Sequence, residues 1–149
     1  MVPGRMQDGA GRRRTAASLL FVAVLLHNLE EGVTYAATRS EATRLAQVIW
    51  PTVQLPTAVV FQAALLVLTA ALGVALAWGA TTRRDRDAWF ILKLIASVLV
   101  VNVMVPHVPA AIVLGRYAPG VMTAVLINLP VSLWILAQRP APPPDRARA

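Results

Sequence analysis

His27, Glu30, Glu31 and Thr34 follow the apolar run "AASLLFVAVLL" as part of "HNLEEGVT", at spacings of three, four and seven from the histidine. On an α-helix this spacing puts all four on one face. An imidazole and two carboxylates so arranged can do two kinds of chemistry. His27 with Glu30 or Glu31 could hold one divalent metal ion, as Glu and His three residues apart do in di-iron helical bundles. The carboxylate left over would then act as general base. Without a metal, His27 and a Glu form an acid–base pair able to isomerise or transfer a substrate. All three of His27, Glu30 and Glu31 are therefore candidate catalytic residues.

The chain has two histidines, and the second, His107, is the candidate third ligand. A set of His27, Glu30 or Glu31, and His107 leaves a position for water or substrate, as catalytic zinc requires, and zinc or iron is the metal expected. Thr34, Gln62, Asn102, Thr123 and Asn128 are the remaining polar residues that could line a pocket. Each also has a plain structural reading. Asn and Gln within apolar helices commonly join neighbouring helices, and Thr bonds the backbone of its own helix. Tyr117 reads more readily as an interface anchor than as an acid. His27, Glu30 and Glu31 together have no such inexpensive explanation, because a charged group at mid-membrane costs about 2.5–3.5 kcal/mol on insertion scales. Their face must turn into a bundle or a wet cavity.

A membrane is the setting that composition requires. The chain is 57% hydrophobic and 14% charged, with a mean hydropathy of +0.61, whereas soluble domains carry about a quarter charged residues. There is no cysteine, which excludes disulfides, thiolate metal sites and cysteine nucleophiles. The net charge of +7 could suit nucleic acid, but the arginines cluster beside apolar blocks and no basic stripe is interleaved with aromatics, so no nucleic-acid partner is expected. The expected partners are the lipid bilayer and a lipid-like small molecule.

Four apolar blocks, at 16–37, 58–80, 88–108 and 120–137, approach the length needed to cross about 30 Å of hydrocarbon. The expected fold is all-α, a polytopic four-helix transmembrane bundle. Between the first two blocks, Leu45, Val48 and Ile49 at helical spacing with Trp50 predict a short separate helix in the membrane surface. The segment "PAAIVLGRYAPG" predicts a partly re-entrant loop. In domain terms, residues 1–15 are a basic arm, 16–138 the membrane domain, and 139–149 a Pro-rich disordered tail. An arginine-rich start leading into an apolar run also resembles a leader peptide, but no good small-x-small cleavage site follows, so the first block is read as a retained span.

Ten arginines lie in the arm, in the loop at 81–87 and in the tail, against Arg39, Arg44 and Arg116 on the other side. By the positive-inside rule both termini face the cytoplasm, across a bacterial inner membrane. Lys93 would reach back to the ten-arginine side. This topology gathers the polar residues of all four blocks in the outer half of the membrane. Asn102 and His107 are five residues apart and diverge on an ideal helix, so a kink at Pro106 is expected to bring His107 inward.

From about residue 19 to 136 the chain resembles the HXXEE family of small bacterial membrane proteins. "HNLEE" carries the signature, followed in order by "NVMVPH", with Asn102 and His107, and by "YAPGVMTAVLINLP". The resemblance implies an integral membrane domain of uncharacterised activity, whose polar motifs invite an enzymatic reading. The function expected is that of a membrane enzyme, metal-assisted or acid–base, acting on a lipid-like substrate. The alternative is a small proton-coupled or cation transporter working as a homo-oligomer, which the scarcity of polar residues in the inner half disfavours. An accessory subunit would leave the triad unexplained.

Overall fold

The computed structural model describes residues 4–115 and 117–138. Arg116 and the Pro-rich tail, with its three arginines, lie outside the described residues. Among those described, the regular structure is all helical, with no strand. Helix α1 spans Gly4–Ile49, α2 Ala58–Thr81 and α3 Asp85–Asn102. A π-turn, Val103–His107, joins α3 to α4, Val108–Leu114. After a short loop come α5, Val121–Thr123, a second π-turn, Ala124–Asn128, and α6, Leu129–Ala137.

Three helices are long and apolar enough to cross a membrane: Gly9–Val48, Ala58–Thr81 and Asp85–Val113. The fourth apolar block forms a shorter helix, Val121–Ala137, which reaches about 25 Å at 1.5 Å per residue.

Two expectations about the connections need correcting. Residues 38–49 are helical, but they are the last turns of α1 and not a separate surface helix. The reason is that α1 meets no proline between Pro3 and Pro51, so nothing stops it until the segment before Pro51. The basic arm is likewise helical from Gly4 and runs into the span without a break. The loop expected to be re-entrant is largely α4, which ends at Gly115, where φ is 60°. A glycine in this left-handed conformation is an ordinary helix stop.

Helices α1 and α2 form an antiparallel hairpin held by side chains. Asn28 Nδ2 donates to Thr69 Oγ1 at 2.7 Å, and Gln62 Nε2 donates to the Gly32 carbonyl at 2.9 Å. At the turn, Arg39 donates to the carbonyls of Pro56 and Leu55. The Tyr35 hydroxyl also donates to Pro56, and its ring stacks on Phe61 with centroids 3.9 Å apart. Arg39 is thus a loop anchor as well as a charge outside the apolar blocks. Thr57 caps α2, accepting from Val60 N. The outer side of this hairpin is apolar: Leu29, Val33, Val59, Leu66 and Val74 are all exposed, as lipid-facing side chains would be.

The apolar core fills the end of the bundle near Arg13. Ala16, Leu20 and Val24 of α1 pack with Leu76 of α2, with Trp89, Leu92, Ala96 and Leu99 of α3, and with Ile135 of α6. Arg13 closes this end: its Nη1 donates to the Thr82 carbonyl at 2.7 Å and its Nη2 pairs with Asp85 at 3.1 Å. Arg13 is buried while its neighbour Arg14 is exposed. Arg13→Leu is therefore expected to lower the thermal unfolding midpoint in detergent, with Arg14→Leu close to wild type. Equal midpoints would remove Arg13 from this role. Lys93 donates from Nζ to the Leu136 carbonyl at 3.2 Å, reaching from α3 to the end of α6.

Candidate metal centre

The next turns of α1 after the core carry His27 and Glu31. Both point to where the Val103–His107 π-turn and the loop at 115–120 meet α1. The π-turn decides the geometry. Five residues on an α-helix rotate side chains about 140° apart, so Asn102 and His107 would diverge. Here the N–H of Val108 bonds the carbonyl of Val103, an i→i+5 ring that holds one extra residue. Asn102 Nδ2 then lies 3.1 Å from His107 Nε2. His107 is turned inward, as expected, and a π-turn does it, in a stretch where Pro106 and Pro109 cannot donate to an α-helical ladder.

The same amide nitrogen lies 3.2 Å from His27 Nε2. The two imidazoles meet edge to face, with centroids 4.7 Å apart at 89°. Both are almost fully buried, His27 at 2% and His107 at 4% exposure, so their hydrogen-bond partners assign the ring protons. His107 Nδ1 lies 2.8 Å from the Pro119 carbonyl, which can only accept, so Nδ1 carries the proton. His27 Nδ1 lies 3.2 Å from Thr123 Oγ1. That hydroxyl gives its own proton to the Gly120 carbonyl, and so accepts from Nδ1. In both rings the lone pair is therefore on Nε2, facing the shared centre.

Glu31 brings a carboxylate oxygen to the same point. Its Oε2 lies 3.7 Å from His27 Nε2, and one ligand atom from each of His27, Glu31 and His107 lies within 4.8 Å of the others. Two imidazole lone pairs and a carboxylate oxygen thus converge on one point. Each histidine is held by a hydrogen bond on its far nitrogen, the outer-shell arrangement that orients metal-binding imidazoles.

Glu30 meets other partners. Its Oε1 accepts from the Tyr117 hydroxyl and from Met122 N at 3.3 Å, and its Oε2 accepts from Thr123 N at 2.8 Å. A carboxylate at the start of a helix satisfies N–H groups that have no partner within it. Glu30 is expected as a ligand or base, yet it is outside the converging group and both its oxygens are occupied. It clamps α5, and with it the loop over the histidines. Burial and the bond to Glu30 hold the Tyr117 phenol above its ordinary range, so it stays a donor well past neutral pH. Tyr117, read as an interface anchor, is half of this clamp.

The other expected pocket residues divide. Asn102 and Thr123 join the centre. The Thr34 hydroxyl bonds the Glu30 carbonyl of its own helix at 2.7 Å, while Gln62 joins α1 to α2 and lines a cavity between them with Asn28, Gly32 and Leu65, apart from the histidines. Asn128 is fully buried on the second π-turn, and its amide has no partner among the described residues; it caps no carbonyl freed by Pro130. Gly120 was not among the expected residues. Its φ is 74°, and a Cβ there would come within 2.8 Å of His27 Cε1 and 3.2 Å of His107 Cε1. The "PG" pair before an apolar run was the available signal for a turn, though nothing in it pointed to the histidines.

Residues 18–135 match the family described as "Protein of unknown function with HXXEE motif". The chain belongs to the HXXEE family. Its signature residues are His27, Glu30 and Glu31, and the structure divides them between a converging ligand group and a loop clamp. One similar protein is "Uncharacterized protein YrkK" of Bacillus subtilis (strain 168). It is 28% identical over 118 residues, which make up 78% of this chain and 69% of that protein. No solved structure matches the chain.

Proposed function

We propose that this HXXEE protein is a polytopic protein of the bacterial inner membrane that binds one divalent metal ion through His27 Nε2, His107 Nε2 and Glu31, and uses it on a lipid-like substrate. The observation that supports this most is the convergence of two Nε2 lone pairs and a carboxylate oxygen within 4.8 Å of one another. Two imidazole nitrogens and a carboxylate oxygen turned to one point in a buried site are a donor set for a divalent cation, which would take the place of the Asn102 amide there. Two histidines and one carboxylate suit zinc, with open positions for water, and also suit non-haem iron.

A bound metal would polarise a substrate oxygen or lower the pKa of a bound water. The protein's own part is to fix both imidazoles through Pro119 and Thr123, and to keep the loop over them through Glu30 and Tyr117. The apolar character of the fourth helix, which is shorter than the other three, the arginine distribution and the contact between Arg13 and the α2–α3 turn are the grounds for a four-span arrangement with both termini cytoplasmic. Under that arrangement the centre is in the outer half of the membrane, where a lipid-like substrate would enter.

Elemental analysis of the purified protein tests the proposal. We expect about one equivalent of zinc or iron, lost in Glu31→Gln and kept in Glu30→Gln. Glu30→Gln should instead lower thermal stability, because hydrogen bonds to a charged group contribute about 1.5–3 kcal/mol each. Full retention of metal in Glu31→Gln would count against the ligand assignment.

A further inference from the structure

The Asn102 amide touches both imidazoles of the centre. Its one nitrogen is 3.2 Å from His27 Nε2 and 3.1 Å from His107 Nε2. Both Nε2 atoms carry lone pairs, since Thr123 and Pro119 take the Nδ1 protons. The two N–H bonds of one amide nitrogen therefore go to the two histidines. Any cation held by those lone pairs must displace this amide nitrogen, because both need the same two atoms.

We propose that Asn102 is a two-state ligand of the metal centre. Its NH₂ bridges His27 and His107 in one state, and in the other the amide turns over and gives Oδ1 to a bound ion as a fourth protein ligand. This rests on the metal reading above. The amide nitrogen has no lone pair free for a metal, whereas its oxygen is a ligand that divalent cations accept. The two ends of the amide have nearly the same size, so the exchange needs rotation about one side-chain bond and no repacking. The backbone beneath is fixed: Val103 N bonds the carbonyls of Leu99 and Val100, and the π-turn follows directly.

The arrangement has a consequence for binding. Buried lone pairs without a donor are costly, and here they have a donor without the ion and the ion when it is bound. An entering ion must break two hydrogen bonds, which lowers its net affinity relative to a site whose lone pairs are unpaired. A neutral oxygen as fourth ligand also leaves Glu31 as the anionic ligand of the set, so a bound divalent ion keeps positive charge to offer an anionic substrate oxygen.

Cobalt(II) titration tests this, because its visible absorption reports the ligand set while chelator competition reports affinity. Asn102→Leu should lower Co²⁺ affinity at least about tenfold and change the visible spectrum. Asn102→Asp, which keeps the shape and adds charge, should raise the affinity at least about tenfold. Wild-type affinity and an unchanged spectrum in Asn102→Leu would overturn the inference and leave the metal reading standing. Should Asn102→Leu fail to fold, Asn102→Asp decides alone, and an affinity no higher than wild type overturns it. Wild-type protein that takes up no Co²⁺ would bring down the metal reading, and this inference with it.

Discussion

His107→Ala should weaken metal binding more than about a hundredfold, since changes outside the first shell alone cost ten- to a hundredfold. The substitution removes one of the two Nε2 lone pairs in the converging group. It also removes the ring that reaches the Pro119 carbonyl at 2.8 Å and contacts His27 edge to face. Residues 117–120 thus lose one of their ties to the helices, while the Glu30 clamp remains. His107→Gln separates the two effects, because an amide can still donate to Pro119 but is a far poorer ligand than imidazole. Metal affinity should fall in both variants, while thermal stability should fall mainly in His107→Ala. Chelator competition and thermal unfolding in detergent read the two separately, and unchanged affinity in either variant would remove His107 from the ligand set.

Gly120→Ala should have the second largest effect, although glycine offers no chemistry of its own. Its φ of 74° costs a residue with a Cβ about 1–2 kcal/mol. The added Cβ would then meet His27 Cε1 at 2.8 Å, which real contacts do not reach. Neither ring can easily yield, since both are hydrogen-bonded at each nitrogen, His27 on the long helix α1 and His107 on the π-turn. The loop must lift, and the hydrogen bonds to Thr123 and Pro119 that orient the imidazoles weaken with it. Gly115→Ala is the control: its φ is 60° but nothing lies within 4 Å of a Cβ there. Both variants should lose stability, and Gly120→Ala alone should lose metal affinity. Equal metal binding in the two would show that the loop does not orient the histidines.

The parts of the site that follow helical spacing were legible in advance. His27 and Glu31 are one turn apart on an unbroken helix, and the structure puts both at the centre. The same spacing put Glu30 and Thr34 on that face, but it could not say which neighbour each would meet. Glu30 meets the start of α5 because a loop with two left-handed glycines folds back over α1, and such a return has no periodic signal. Asn102 and His107 were recognised as candidates that an ideal helix would separate. The device that unites them, a π-turn, is one added residue per turn and leaves the apolar pattern almost unchanged. The second helix was placed within a residue, since Pro56 and Thr57 mark its start and charged residues follow its end. The surface segment was misjudged because amphipathic spacing says that a helix forms, not where the preceding one stops.

The central claim is that two imidazoles and a carboxylate of this HXXEE protein bind one metal ion. X-ray absorption fine structure of the zinc-loaded protein tests it most directly. The expected spectrum shows one zinc per chain, with two imidazole nitrogens at about 2.0–2.1 Å, the remaining ligands oxygen, and no sulfur. A zinc spectrum without imidazole scattering, or a protein that keeps no zinc after desalting, would contradict it.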